Sequence, residues 1–366
     1  MSELSIAASA GQVIVAGFPE QSPPDALCDL ARAGQLGGFI LFRWNLRTPV
    51  QVAELTLRLR SLFPAAAPPW IALDQEGGRV ARLGPPVVRL PPMRVLGAID
   101  QPALTRDAGR VLGEQLALLG FNLDFAPVLD VDTNPANPVI GDRSFGDRPE
   151  RVIRHARAFA AGLADAGVAS CGKHFPGHGD THLDSHLALP RLSHDRERLD
   201  LIELAPFAAL SAELPCMMSA HVLFDAVDHE RPATLSRVII HGLLREKLGF
   251  QGVIFSDDLE MKAVADTYGV PRAACLAIAA GCDQVLVCAD PALTLQTHRA
   301  LIAEAERDPA FAARLREAAQ HGLAARERYP ITRAVASARI ERRLAAQEPR
   351  VLEARIQHAH TEVSSV

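Results

Sequence analysis

A glycine-rich segment near the middle of the chain carries residue types that transfer protons. Residues 175–189 read FPGHGDTHLDSHLAL, with three histidines and two aspartates. Proline and glycine predict a loop here. Asp184 and His186 stand two positions apart, so in an extended backbone both side chains point to one side, where the carboxylate can orient the imidazole and support its charged form. The pair is a candidate acid and base, although a surface loop with ordinary turn contacts could have the same composition.

A second pair of acidic residues follows an apolar run. Asp257 ends the run GVIFSD, and Asp258 opens DLEMKAV, which reads as the start of a helix. A carboxylate in this place can act as a nucleophile, or it can accept hydrogen bonds as a helix cap. Sequence spacing alone does not assign these two roles to the two residues.

A metal site is the rival interpretation of the histidines. They recur at every fourth position, as His174, His178, His182 and His186. On a helix this spacing would place the imidazoles on one face, as metal sites often do. Pro176, Gly177 and Gly179 disfavour a continuous helix, and the GHG triplet lacks the remaining residues of a nucleotide-binding loop. We therefore predict no metal site and no phosphate cradle.

The elements that position these residues follow a repeating pattern. Short apolar runs alternate with longer amphipathic segments, which is typical of βα units and a parallel sheet. Eight strands are predicted, over 13–16, 38–42, 70–74, 123–130, 169–174, 216–221, 252–257 and 284–288. Helices are predicted over 50–62, 105–119, 148–166, 200–212, 236–248 and 270–280. The predicted fold class is α/β, a (β/α)8 TIM-type barrel, with an open doubly wound sheet as the alternative.

We expect one barrel domain over residues 1–335 and a C-terminal helical extension and tail over 336–366, because residues 311–360 are rich in Arg, Glu and Ala. In such barrels the chemistry lies at the carboxyl ends of the strands. Six successive predicted strand ends carry polar groups, namely Arg43, Asn45, Asp74, Glu76, Arg79, Asp130, Asp132, Lys173, His174, His221, Asp257 and Asp258. Each could be a simple cap, but their joint placement favours a functional site.

Composition narrows the class of protein. The 366 residues are 48% hydrophobic and carry a formal net charge of −5, which disfavours nucleic acid as a partner. No run approaches the roughly 18 apolar residues of a membrane span, and the first residues do not resemble a signal peptide, so we expect a cytoplasmic protein with no membrane partner. Six scattered cysteines without a CxxC pair predict reduced, buried thiols.

Several long motifs resemble those of the family 3 glycoside hydrolases. They are LDQEGGRVARL (73–83), FAPVLDVDTNP (125–135), VIGDRSFG (139–146), KHFPGHGDTHLDSH (173–186), SAHVLF (219–224) and GVIFSDDLEM (252–261), in the family's order over some 190 residues. The DSH element is similar to that of the single-domain bacterial β-N-acetylhexosaminidases of cell-wall recycling. One departure is visible, because Trp44 separates Arg43 from Asn45 where that branch usually has Arg directly before Asn. Any role of Arg43 is therefore in doubt.

The resemblance implies a role for each matching residue. Asp257 would be the nucleophile, and His186 would be the acid/base with Asp184 as its orienting partner. The implied substrate-binding residues are Asp74, Arg82, Arg143, Lys173 and His174. Asp257 would form and break a covalent bond to the sugar while His186 transfers the proton. The substrate-binding residues would hold the hydroxyl and N-acetyl groups of the sugar in one orientation.

The implied activity is removal of terminal β-linked N-acetylglucosamine from cell-wall fragments with retention of configuration. A small carbohydrate is the expected partner, no cofactor is required, and the oligomeric state is left open, with a monomer compatible with the sequence. The alternatives are a phosphorylase or a broader β-glycosidase on the same scaffold, and a non-catalytic sugar-binding protein. The last would be expected to lack Asp257 or His186, and both are present.

Overall fold

The computed structural model describes residues 4–183, 185, 189–331 and 337–364. The strands are β1 (Ile14–Ala16), β2 (Gly38–Ile40), β3 (Trp70–Leu73), β4 (Gln75–Gly77), β5 (Val80–Ala81), β6 (Leu123–Asp124), β7 (Ala169–Phe175), β8 (Arg191–Leu192), β9 (Cys216–Ser219), β10 (Leu223–Phe224), β11 (Val253–Asp258) and β12 (Gln284–Val287).

Eight of these strands form a closed parallel barrel in the order β1, β2, β3, β6, β7, β9, β11 and β12. The ring closes because β12 pairs with β1, with Val285 opposite Ile14. All eight barrel strands fall on predicted apolar runs, and β7 and β11 extend one residue beyond them. The (β/α)8 prediction is therefore confirmed and the open-sheet alternative is wrong. The remaining strands form two small sheets, the antiparallel hairpin of β4 with β5 and the pair of β8 with β10.

Helices surround the barrel. They are α1 (Ile6–Gln12), α2 (Asp25–Arg32), α3 (Pro49–Ser61), α4 (Met93–Ile99), α5 (Pro102–Leu118), α6 (Pro149–Asp165), α7 (Arg196–Leu201), α8 (Ala205–Leu210), α9 (Lys262–Tyr268), α10 (Val270–Ala280), α11 (Pro291–Arg307), α12 (Pro309–Arg328), α13 (Ser337–Leu344) and α14 (Gln347–Ser364), with a π-helix over Val238–Lys247. Several begin with a capping side chain followed by proline, as at Thr48 and Asp290. The cap accepts a backbone N–H, and proline needs no hydrogen-bond acceptor at the first helical position.

The core has two layers. Side chains such as Trp70, Phe125 and Phe255 fill the barrel interior, where the Phe125 and Phe255 rings meet edge to face at 5.3 Å. A larger apolar layer lies between the strands and the surrounding helices. The interior is therefore packed with side chains, and polar groups gather at its mouth.

The last helices lie on the outside of the barrel, as expected for the charged tail. α14 packs on α4 and α5 through the buried side chains of Leu352 and Ile356. The boundary between residues 335 and 336 stays a prediction. Among the helices that the structure describes, none is both long enough and apolar enough to span a bilayer.

Two predicted elements differ from the structure. The predicted helix over 200–212 is interrupted between α7 and α8, and Pro206 lies at the start of α8, where it can begin a helix but cannot continue one. The predicted strand over 123–130 is shorter, because Pro127 has no N–H for the ladder. The chain returns to the sheet at Val128, which bridges to Lys173.

Candidate active site

A pocket of about 270 Å³ opens at the carboxyl ends of the barrel strands. Its wall includes five of the predicted binding residues and the predicted nucleophile, namely Asp74, Arg82, Arg143, Lys173, His174 and Asp257. These residues come from β7 and β11 and from the segments that follow β3 and β6. The closed barrel thus gathers residues that lie up to 183 positions apart in the chain.

Lys173 is the centre of the charged wall. Its Nζ lies 2.7 Å from Asp74 Oδ1 and 2.6 Å from Glu76 Oε1, and its side chain is 2% exposed. Two carboxylates therefore share one ammonium group. Arg82 Nη2 donates to the other oxygen of Asp74 at 3.0 Å, and Arg143 donates from Nε and Nη2 to both oxygens of Glu76 at 2.8 and 2.7 Å.

This pairing keeps Lys173 and the two carboxylates ionised. Burial by itself would raise the pKa of Glu76, but the charges of Arg143 and Lys173 outweigh it and lower the pKa to about 2. Burial likewise disfavours the charged form of Asp74. The positive charges of Lys173 and Arg82 outweigh this effect and hold the pKa of Asp74 well below its usual range. The two carboxylates in turn raise the pKa of Lys173 in spite of its burial. The wall presents fixed charges to a ligand at neutral pH.

His174 is held by a fully buried carboxylate. Its Nδ1 lies 2.7 Å from Asp130 Oδ2, and Asp130 Oδ1 accepts the backbone N–H of His178 at 2.7 Å. Burial would raise the pKa of Asp130, but His174 more than offsets this and the pKa is lowered. With Nδ1 engaged by a carboxylate, the imidazole has a fixed orientation at the pocket wall.

Asp257 and Asp258 both border the pocket but differ in their contacts. Asp257 Oδ1 accepts the backbone N–H of Asp258 at 2.8 Å. Asp258 Oδ1 accepts the N–H of Glu260 at 3.0 Å, and its carbonyl oxygen lies 2.9 Å from Nε2 of His221. Burial raises the pKa of Asp258 to about 7. Asp258 therefore stabilises the turn after β11, and it is a poorer anion than an exposed carboxylate at neutral pH.

Asp184 and His186 lie outside the described residues. Ser185, the residue between them in the chain, is described, is buried and lines the same pocket as Asp257. Its hydroxyl lies 3.0 Å from His178 Nε2. The loop that carries the candidate acid and base thus contributes to the pocket wall.

The described histidines of this segment do not share one helix face. His174 belongs to β7, and His178 follows a turn after Pro176. In the described ranges, one group of three side chains could hold a metal ion, Asp180, His194 and Glu203, and none of the three lines the pocket. The guanidinium of Arg198 already contacts both carboxylates of this group, at 3.2 and 3.4 Å.

Four residues of the site were not assigned a role from the sequence. The sequence marks Glu76 and Asp130 only as polar strand ends, His178 only as a loop histidine of the possible metal ladder, and Ser185 only as part of the loop. The partners of Glu76 and Asp130 are distant in sequence, and the contact between His178 and Ser185 depends on how the loop folds. Arg43, whose role was in doubt, donates to the Ala81 carbonyl at 3.1 Å and lies outside the pocket wall.

The residue beside it, Trp44, is 46% exposed. Its ring stacks on Phe42 with the centroids 4.7 Å apart, and Phe42 borders the pocket. Asn45 is buried and donates to the Phe18 carbonyl at 3.0 Å. The inserted tryptophan therefore lies near the rim, while the asparagine holds the loop after β1.

Comparison with known proteins defines the class. The sequence profile described as the Glycosyl hydrolase family 3 N terminal domain matches residues 10–321. The chain belongs to glycoside hydrolase family 3, as the motifs predicted, and it is a glycoside hydrolase.

Relatives and solved structures agree with this family. The chain is similar to a beta-hexosaminidase of Alkalilimnicola ehrlichii, with 45% identity over 70% of this chain and 75% of the relative. A family 3 beta-N-acetylglucosaminidase from Paenibacillus has a TM-score of 0.91 at 40% identity, covering 98% of this chain and 69% of that one. NagZ from Neisseria gonorrhoeae, in complex with N-trifluoroacetyl-D-glucosamine, has a TM-score of 0.75 at 34% identity, covering 96% and 98%.

Proposed function

We propose that this chain is a retaining exo-β-N-acetylglucosaminidase. The observation that carries the proposal is that Asp257 and Ser185, the residue between Asp184 and His186, line one pocket together with the charged wall. The names of the relatives and of the solved structures, beta-hexosaminidase and beta-N-acetylglucosaminidase, support the same substrate class.

The size of the pocket supports an exo-acting enzyme. Its volume of about 270 Å³ lies near the lower end, roughly 300 Å³, of pockets that enclose small ligands. This volume suits one sugar residue. A terminal residue would enter, and the rest of the substrate would remain at the mouth.

The proposed mechanism is a double displacement. Asp257 attacks the anomeric carbon while His186 donates a proton to the departing oxygen, which gives a glycosyl-aspartate ester and a free alcohol. Water then attacks the anomeric carbon, His186 accepts a proton from the water, and the bond to the Asp257 carboxylate breaks, so that the sugar leaves with its original configuration. Asp184 orients the imidazole through both half reactions.

The charged wall supplies positioning. The oxygens of Asp74 can accept hydrogen bonds from sugar hydroxyls, and Lys173, Arg82 and Arg143 can donate to sugar oxygens. Because Lys173 and the carboxylates fix one another, little reorganisation is needed when the sugar binds. Neither a metal nor an organic cofactor enters these steps.

The natural substrate follows as part of the same proposal. We expect fragments of peptidoglycan that end in β-linked N-acetylglucosamine, hydrolysed in the cytoplasm. A phosphorylase would form the same glycosyl-enzyme but transfer the sugar to phosphate instead of water. The dependence of turnover on added phosphate therefore distinguishes the two activities.

Turnover of a chromogenic β-N-acetylglucosaminide beside the matching β-glucoside tests the proposal. We expect kcat/KM to be at least about 10²-fold higher for the N-acetylated sugar, because a site that binds a polar group rejects an analogue that lacks it. Proton NMR should show the β-anomer of N-acetylglucosamine as the first product, at a rate independent of phosphate. Equal rates for the two substrates, or the α-anomer as first product, would overturn the assignment.

A further inference from the structure

His178 makes an unusually complete set of contacts for a loop residue. It is 1% exposed, its backbone N–H donates to Asp130 Oδ1 at 2.7 Å, and its ring lies edge to face with that of His174 at 5.9 Å. The ring nitrogens contact two hydroxyls, Thr181 Oγ1 at 2.7 Å from Nδ1 and Ser185 Oγ at 3.0 Å from Nε2. The imidazole thus bridges two positions of the loop.

The ring is neutral under working conditions. Burial and the neighbouring His174 lower the pKa of His178 to about 4. A neutral imidazole has one donor nitrogen and one acceptor nitrogen, so in either tautomer one hydroxyl accepts a hydrogen bond and the other donates one. The bridge is fully satisfied in this form, whereas a charged ring would offer two donors.

Ser185 is held from a second direction. Its carbonyl oxygen accepts the N–H of Ala263, at the start of α9, at 3.4 Å. Ala263 follows Asp257 by six residues, on the segment that leaves β11. Ser185 is therefore tied on one side to His178, and through it to Asp130, and on the other side to the segment that follows Asp257.

We propose that His178 is a positioning residue for the acid/base step. It acts through Ser185, the covalent neighbour of both Asp184 and His186, and so constrains the backbone between the proposed acid/base and its orienting partner. This inference rests on the proposed function, since it takes His186 as the acid. It gives a role to a histidine that neither contacts the departing oxygen nor exchanges a proton with substrate.

Loss of the His178 contacts should impair the step in which the leaving group receives a proton. A displacement of about 1 Å in a catalytic group can reduce the rate roughly 10²-fold. If the displaced group is the acid, the loss falls on substrates whose leaving group needs a proton. A strongly acidic leaving group departs without a proton. Substrates that carry such a group should therefore keep their kcat/KM.

The test is kcat/KM for His178→Phe on aryl β-N-acetylglucosaminides from dinitrophenyl to unsubstituted phenyl. This parameter reports the half reaction that releases the phenol. We expect a loss of at least about 10-fold for the phenyl substrate and under about 3-fold for the dinitrophenyl one.

Ser185→Ala, which removes one hydroxyl, should show the same trend and serves as the test if His178→Phe does not fold. His229→Phe is the matched control, an exposed histidine outside this loop that should leave the series unchanged.

The outcomes separate this inference from the proposed function. His186→Gln should show a steep dependence on the leaving group. If it does, and both His178→Phe and Ser185→Ala lose activity equally on all substrates or not at all, the inference alone is wrong. If His186→Gln shows no dependence on the leaving group, the proposed acid is wrong and the inference falls with it.

Discussion

A lysine buried between two carboxylates is the most demanding feature of the site. Removing an ion from water costs several kcal/mol, and attraction between close partners compensates only when the contacts are good. Lys173 meets this condition because it has a carboxylate oxygen at 2.7 Å and another at 2.6 Å, and Arg82 and Arg143 each bind one of the same two carboxylates. The wall is a polar network in which each member depends on the others.

Lys173→Met should therefore destabilise the protein strongly at neutral pH. Breaking a buried pair by removing one partner costs up to roughly 3–5 kcal/mol. Here Asp74 and Glu76 would each lose the cation they share and keep one arginine. Urea unfolding at pH 7 measures this loss in the free energy of unfolding. Lys262→Met, at an exposed position on α9, is the control and should change it by less than about 0.5 kcal/mol.

The pH dependence has a definite sign. The folded protein lowers the pKa of Glu76 from 4.5 to about 2, so this carboxylate contributes stability above about pH 4.5, and that stability is lost as the pH falls towards 2. The free energy of unfolding of the wild type should fall over this window. The difference in this free energy between the wild type and Lys173→Met should become smaller. A deficit that stays constant from pH 7 to pH 3 would contradict the proposed pairing.

At the scale of elements, α14 tests whether the C-terminal segment is part of the barrel. Its packing includes the buried Leu352, and its polar contacts include Glu353, which accepts the N–H of Arg89 at 2.8 Å. Arg110 also lies 2.6 Å from Glu348. These contacts join α14 to the segment after β5 and to α5, so we infer that it unfolds together with the barrel.

Leu352→Ala should lower the free energy of global unfolding by roughly 2–5 kcal/mol, because the change leaves a cavity against α4 and α5. Val351→Ala removes an exposed side chain and should cost less than about 0.5 kcal/mol. Both variants should retain kcat. Two separate unfolding transitions, with only the smaller one shifted by Leu352→Ala, would mean that the extension folds independently.

The elements show what sequence reasoning can and cannot reach. Apolar runs predicted all eight barrel strands, because a parallel strand is buried on both faces whatever its neighbours. The β4–β5 hairpin was not predicted, since Gln75 and Glu76 are polar and are buried only because Leu83, Lys173 and Arg143 supply partners. Pairings of this kind, like that of His178 with Ser185, depend on tertiary contacts that spacing does not encode.

At the scale of the whole molecule, barrel closure creates the site. Asp74, Lys173 and Asp257 come from three separate strands or strand ends and meet at one mouth only because the sheet closes through β1 and β12. The packed interior below the pocket leaves the carboxyl-end face as the place where a ligand can enter. The topology of the barrel therefore decides where the site lies, although the charged wall also contributes to the stability of the fold.

The most direct test of the proposed chemistry is to trap the glycosyl-enzyme and locate it. A 5-fluoro-N-acetylglucosaminyl fluoride slows both half reactions, while its fluoride leaving group favours the first, so the intermediate accumulates. Intact-mass and peptide mass spectrometry should find one sugar per chain, attached at Asp257 and absent from Asp257→Ala. An adduct on Asp258 or elsewhere, or turnover with no adduct at all, would contradict the assignment of Asp257 as the nucleophile.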